Sequence, residues 1–351
     1  MSNIIQHSPE WLEAKKSKIG GSEIFTLVHY YCQEELKSLD VDLDKEMGFK
    51  TALELFIKLK FGVEDNNISE VNSVFGNEMV EYINARLNQE LPSTATARTR
   101  DFIINEELHK LSACSPDGYV ELSSNPCQLP DFDKTCLIDS DWEQGILEFK
   151  TTPFGFNFQI TEGCKWAYIF QLTYNIMVCG ARWGILAAIT PKDKDFDTDF
   201  YKGQVIGKLK AKGVNAETME ELAGVYNFNY YVYKRIPALE GLILKALNCF
   251  QNDLDNNVYP EKSGHPAKLA RERKVIGLAF PDHYGEWQAD EEVANMIEQR
   301  MIAKTEATKA DSEAKDLEIE IIKKVNPYSK IIGLCHKLVW DKRNGLRFYK
   351  I

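Results

Sequence analysis

The chain has 351 residues, 44% hydrophobic and 27% charged, an ordinary globular composition that suits one large domain or two small ones. No apolar run reaches the roughly 18 residues a membrane span needs, and residues 1–18 are polar, which is not the pattern of a secretory signal. The net charge of −11 argues against a broad phosphate-binding surface, so a nucleic-acid site has to be a local basic patch or be charge-inverted by metal ions.

From the N-terminus, residues 7–18 read as a short helix, with Pro9 at a favoured helix start after Ser8. Ile19-Gly20-Gly21-Ser22 breaks it, and Ser22 is expected to cap a second helix over 23–31. Residues 51–61, with Leu53, Leu55, Phe56, Ile57 and Leu59, read as helix, and 63–71 as a polar loop. Over 76–87, Met79, Val80, Ile83 and Leu87 recur at helical spacing. Strands are expected at 100–105 and within 111–122, the second passing through Ser115-Pro116-Asp117-Gly118. Residues 123–145, rich in Ser, Asn, Pro and Asp, look like a surface insertion. A strand follows over 145–151, then an amphipathic helix over 164–179 and a continuously apolar strand over 183–189, typical of a buried position. Helical segments are also read at 219–222 and 239–250.

The tail differs in kind. Residues 289–325 hold neither Pro nor Gly and predict one long helix, with Ala303, Ala307, Ala310, Ala314, Leu317 and Ile321 as a seam suited to close helix packing. Beyond Asn326-Pro327, Asn344-Gly345 is a hairpin turn signal between strands at 338–340 and 346–349. The eight cysteines include no C-x-x-C pair, so neither zinc nor an iron–sulfur cluster is expected. Reduced thiols in an intracellular protein are the expectation.

The chemistry concentrates at Asp117 and at Glu148-Phe149-Lys150 on the next strand. Strand side chains alternate, so Glu148 and Lys150 share one face while Leu147 and Phe149 share the other. Charged groups on an otherwise apolar strand need partners. Phosphodiester hydrolysis needs charge neutralisation, an activated water and a held phosphate. Asp117 and Glu148 are suitable oxygen ligands for Mg2+, with Mn2+ a natural substitute, and Lys150 can orient the water. Glu78, in the first turn of its helix, is the expected third carboxylate. Two carboxylates about 4 Å apart repel by roughly 4 kcal/mol at an effective dielectric of about 20, which a bound cation relieves. Taken singly, each has a plainer explanation: Glu-x-Lys as a cross-strand ion pair, Asp117-Gly118 as a turn, Glu78 as a first-turn glutamate.

In order along the chain, these residues resemble the lambda-exonuclease-like alkaline nucleases, or YqaJ-type viral recombinases, of the PD-(D/E)xK superfamily. The resemblance is carried by Ser8-Pro9-Glu10-Trp11-Leu12 with Ile19-Gly20-Gly21-Ser22, by Phe75-Gly76-Asn77-Glu78, by Ala113-Cys114-Ser115-Pro116-Asp117-Gly118, by Leu147-Glu148-Phe149-Lys150, and by Tyr168-Ile169-Phe170-Gln171-Leu172. It implies an α/β (α+β) fold with a restriction-endonuclease-like core, a central mixed β-sheet flanked by helices. The core would span residues 1–265, with insertions near 29–74 and 122–145, and a helical arm with a small hairpin at 266–351 would pack on it. By the same resemblance, Asp117, Glu148 and the Phe149 backbone carbonyl hold the metal, with Glu78 near a second ion. Lys150 serves the attacking water, and Gln171 holds the site's geometry from its helix.

Lys15 and Ser22 fall where the family binds a terminal 5′-phosphate. Ser22 at a helix start offers free N–H groups, and Lys15, Lys16 and Lys18 add local positive charge. Lys15 stands where the family usually has arginine, and Thr173 replaces a common second glutamine on the DNA-binding side. Tyr168, Gln171 and Asn175 share one helical stripe. The implied activity is Mg2+-dependent 5′-to-3′ digestion of one strand of linear double-stranded DNA, in phage-type recombination. Implied with it are a homo-oligomer such as a trimeric ring, a single-strand annealing partner, and a cytoplasmic setting in a bacterial host. The alternatives are an endonuclease of the same superfamily and an inactive DNA-binding scaffold.

Overall fold

The core grows from a strand, β8 (Gln144–Thr151), that is buried on both faces. In the computed structural model, the residues described are 2–5, 8–43, 48–63, 70–90, 93–97, 101–122, 127–130, 135–138, 144–151, 166–193, 198–261, 266–279, 302–310, 330–332, 336–341 and 345–350, with single positions between 292 and 299. Two compact units divide the chain, Met1–Pro281 and Asp282–Ile351.

In the first unit, a five-stranded sheet runs in the order β10 (Tyr226–Lys234), β9 (Trp183–Pro191), β8, β5 (Gly118–Leu122), β2 (Ser93–Ala97). The β8–β9 pair is parallel and its neighbours are antiparallel, giving the expected mixed sheet. Parallel neighbours need a crossover, and the segment between them contains α6 (Trp166–Cys179). Every residue of α6 from 167 to 178 is buried, the polar Gln171, Thr173 and Asn175 included.

Alternation along the strands feeds two apolar layers. Ile146, Leu186, Ala188, Tyr231 and Tyr233 face α2 (Gly21–Tyr31), α6 and α9 (Pro237–Asn256). Leu147, Phe149, Ile185, Ala187 and Val232 face α5 (Glu70–Glu90), α7 (Asp199–Lys212) and α8 (Ala216–Val225). The result is helices on both sides of one sheet. Gly184 lets α6 lie close to the sheet, because a Cβ there would come within 2.8 Å of both Ile146 O and Leu172 Cδ1.

Smaller elements brace this sandwich. A sheet of β1 (Ser2–Ile5), β3 (Asp101–Ile104) and β4 (Ala113–Cys114) packs with α1 (Pro9–Lys16) through Phe102, Ile104, Trp11 and Ala14. Following α3 (Gln33–Ser38), α4 (Ala52–Phe61) begins with a reciprocal cap: Thr51 Oγ1 accepts from Glu54 N at 3.1 Å, and Glu54 Oε2 accepts from Thr51 N at 2.7 Å. Against it packs α10 (Pro266–Ala279), where Val275 meets Leu53 and Ile57, and Arg271 forks onto Glu54.

Several local expectations change. Gly20 rather than Ser22 caps α2, because Glu23 Oε2 accepts from Gly20 N at 3.0 Å, which places Ser22 inside the first turn. The strand expected over 111–122 is two strands, β4 and β5, separated at Ser115–Asp117. Residues 70–71, read as loop, already belong to α5. The segment read as an insertion contains a two-stranded ladder, β6 (Cys127–Pro130) with β7 (Thr135–Ile138). In the second unit, β11 (Lys330–Ile332), β12 (His336–Asp341) and β13 (Gly345–Lys350) form an antiparallel meander that includes the expected hairpin. Residues 302–310 are helical as expected, with every residue exposed; Ala314, Leu317 and Ile321 lie outside the described residues.

Candidate active site

Three elements meet at Glu148. From β8, Glu148 and Lys150 project on the same face as Ile146, towards α6, as strand alternation requires. Asp117 immediately precedes β5, and its N–H donates to Leu147 O at 3.1 Å. Its side chain closes back on the same strand, with Oδ2 accepting from Phe149 N at 2.7 Å. Asp117 is thereby clamped to β8 beside Glu148.

Glu148 is only 2% exposed and is surrounded by donors. Gln171 Nε2 donates to Oε1 at 2.5 Å, Asn175 Nδ2 donates to Oε2 at 2.8 Å, and the Lys150 ammonium also donates to Oε1. Gln171 and Asn175 reach one carboxylate because they are one helical turn apart on α6. The Lys150 ammonium also lies 5.4 Å from the centre of the Tyr168 ring, one turn earlier on the same helix.

Burial pushes the Glu148 carboxyl up to about 7; Asp117 pushes the same way, while Lys150 and the Asn175 amide hold it down. Burial alone would lower Lys150, but Glu148 and Asp117 outweigh it and raise the ammonium above its ordinary value. Lys150 is therefore a fixed cation at neutral pH, suited to orienting water and phosphate rather than to accepting a proton. Two neighbouring carboxylates, one buried and held near its own midpoint, form a hard oxygen donor set of the kind Mg2+ and Mn2+ take. Asp117 and Glu148 supply those carboxylate oxygens. Among the described residues no three His, Cys, Asp or Glu side chains are arranged to hold a metal ion. Glu78 is half-buried on α5.

The basic residues near α2 divide. Ser22 is exposed in the first turn of α2, and the Lys15 ammonium lies 5.4 Å from the centre of the Trp11 ring. Lys16 pairs with Glu13 at 2.9 Å on the surface. Lys18 is buried, and its ammonium is taken by Glu106 and by Lys110 O, each at 2.6 Å. Thr173 is buried within α6.

The sequence pattern puts Asn175 on the stripe with Gln171 but names no partner for it. It misses a charged cluster under the start of α2, where buried Lys58 donates to Glu23 Oε1 and Oε2 at 2.9 and 2.8 Å and to Lys18 O at 3.1 Å, with Lys50 adding a bond to Glu23 Oε1 at 2.9 Å. Burial opposes the charge on Glu23, yet the two lysines bring its carboxyl down to about 2. The readable signal was a charged residue inside each of two apolar helices; the pairing was not readable.

Residues 10–182 match the YqaJ-like viral recombinase domain family. That stretch starts in α1, stops just before β9, and includes Asp117, Glu148, Lys150, Gln171 and Asn175. No curated protein matches the chain. Among solved structures it is similar to an alkaline exonuclease, LHK-Exo, from Laribacter hongkongensis, at 15% identity and a TM-score of 0.41, over 77% of this chain and 100% of that one. LHK-Exo in complex with dAMP gives 16% identity and 0.41 over the same shares. A phage related exonuclease from Haemophilus somnus gives 13% and 0.43, over 69% of this chain and 95% of that one. No helix among the described residues is long and apolar enough to cross a membrane.

Proposed function

With residues 10–182 belonging to the YqaJ-like viral recombinase domain family, we propose that the chain is a divalent-metal-dependent exonuclease. It digests one strand of linear double-stranded DNA from a 5′-phosphorylated end, in recombination of the phage type. The observation that carries this reading is Glu148: a buried carboxylate beside Asp117, with donors from Lys150, Gln171 and Asn175. An arrangement so heavily satisfied on an otherwise apolar face has little structural purpose unless the carboxylate must be held in one orientation.

Asp117 and Glu148, with the Phe149 carbonyl, would hold the ion, for which Mg2+ is the expected choice and Mn2+ the substitute. When bound, such an ion neutralises charge on the phosphate and acidifies water. Gln171 and Asn175 keep the carboxylate turned to its task, and Asp117 is kept in place by the Phe149 N–H. Lys150 stays protonated and presents its charge to the incoming water and the scissile phosphate. The water gives up a proton to solvent as its oxygen forms a new bond to phosphorus, the P–O3′ bond breaks, and the departing 3′-oxygen takes up a proton from solvent. Ser22 in the first turn of α2, with Lys15 nearby, is the proposed 5′-phosphate contact. A cyclic assembly around the duplex and a single-strand annealing partner belong to the same reading.

The test is digestion of three substrates, each with Mg2+ or with EDTA: linear 5′-phosphorylated duplex, linear dephosphorylated duplex and covalently closed circles, with strand-specific labels. Mg2+-dependent loss of linear DNA alone, fastest with the 5′-phosphate and from the 5′-labelled end, is expected. Cut circles would point to an endonuclease, and binding without degradation to a scaffold. Asp117→Asn and Glu148→Gln should each leave less than about a tenth of the wild-type rate while DNA affinity stays within a few-fold. Lys15→Ala or Ser22→Ala should erase the preference for the 5′-phosphate before slowing hydrolysis itself.

A further inference from the structure

We propose that Asn175 is a positioning residue that selects Oε2 of Glu148 as the oxygen offered to the divalent ion, a role that rests on the function proposed above. A carboxylate oxygen has two acceptor directions. Both directions of Glu148 Oε1 are used, by Lys150 and by Gln171 Nε2 at 2.5 Å. Among the described residues Oε2 has one donor, Asn175 Nδ2 at 2.8 Å. The remaining acceptor direction of the carboxylate is therefore on Oε2, and Asn175 fixes which way it points.

The amide is committed to this task. Asn175 is 1% exposed, and its Oδ1 is buried with no hydrogen-bond partner among the described residues. Turning the amide over would set Oδ1 against a carboxylate oxygen, so its orientation is dictated by Glu148. On the far side it rests on Gly21, at the start of α2, where a Cβ would fall 2.3 Å from Oδ1 and 3.2 Å from Gln171 Cγ. Gly21 thus leaves the space that lets both amides reach Glu148. The first turn of α2, which carries Ser22, and the metal-binding carboxylate share this one side chain as an intermediary.

The experiment measures Mn2+ binding to the full chain without DNA, by calorimetry or by loss of the free-ion electron paramagnetic resonance signal. Wild type is compared with Asn175→Leu, which keeps the branched shape without a donor, with Gly21→Ala, which crowds the amide from behind, and with Glu148→Gln. Asn175→Leu and Gly21→Ala should each weaken Mn2+ binding about tenfold or more, the range for losing a hydrogen bond that orients a ligand. Half-saturating Mn2+ for hydrolysis should rise in parallel, with the KM for DNA unchanged. Near-UV circular dichroism checks each fold, and Asn175→Ala replaces the leucine variant if that one is perturbed. If wild type binds Mn2+ and Glu148→Gln does not, but both amide-site variants bind like wild type, the role of Asn175 is overturned and the nuclease reading stands. If wild type and Glu148→Gln are equally unable to bind, both fall.

Discussion

At neutral pH the Glu148 carboxyl stands near its own midpoint, moved by burial, with Asp117 beside it, from 4.5 to about 7. Between those two values the folded chain holds this proton more tightly than the unfolded one, so the group's contribution to stability declines as pH rises through that window. In EDTA, melting temperature should therefore fall between pH 5 and pH 8 by more in wild type than in Glu148→Gln, and Mg2+ should recover the loss at pH 8. An equal pH dependence in both proteins would show that another group is responsible. Glu148 and Lys150 were legible because strand alternation puts them on one face, and Asp117 because of its place before the neighbouring strand. Asn175 was legible only as a polar position, since nothing in a four-residue spacing says which carboxylate it will meet. Lys18 looked like part of a basic helix, yet its ammonium is turned inward to Glu106 and Lys110 O by contacts some ninety residues away in sequence.

Among the elements, α2 and α4 are joined by charge as much as by apolar packing. Lys58 is 2% exposed and bridges α4 to Glu23 of α2 and to the chain just before it. Replacing Lys58 with methionine leaves Glu23 buried with only Lys50 as a cation, a loss of about 3 kcal/mol, since breaking one side of a buried pair is far costlier than never having it. Urea unfolding at pH 7 measures it; a change under about 1 kcal/mol would mean that Lys50 alone satisfies Glu23. Because the Glu23 carboxyl is depressed to about 2, its stabilising effect holds above the ordinary 4.5 and disappears as pH falls towards 2. Helices and strands with strong periodicity, such as α6 and β9, could be read in advance. By contrast, α7 carries Gly203 and Gly207 in its interior, which weaken its helical signature. In β10, Asn227 and Asn229 interrupt an aromatic strand that pairs along its full length with β9. The cap of α2 was misplaced by two residues because a glutamate reaching back can replace a serine at the helix start.

For the molecule as a whole, the family match ends before the core does. Residue 182 precedes β9, whose Ile185, Leu186, Ala187 and Ala188 are fully buried between the two helical layers. Cutting the chain there exposes the long edge of β8 and removes β10, α9 and part of each apolar cluster. A protein ending at residue 182 should be insoluble or lack a cooperative thermal transition, whereas one ending at 281 should keep a single transition by circular dichroism. A soluble, cooperatively folding 1–182 fragment would contradict this account of the sheet.

The parallel pairing of β8 with β9 also sets an order of events during synthesis. A ribosome has already delivered Asp117, Glu148, Lys150, Gln171 and Asn175 before it adds the strand that fixes β8 in place. The nascent chain thus carries these side chains while unable to align them. On the function proposed above, cleavage therefore has to wait until Trp183–Pro191 has emerged and docked, and a translation product abandoned midway would not cut.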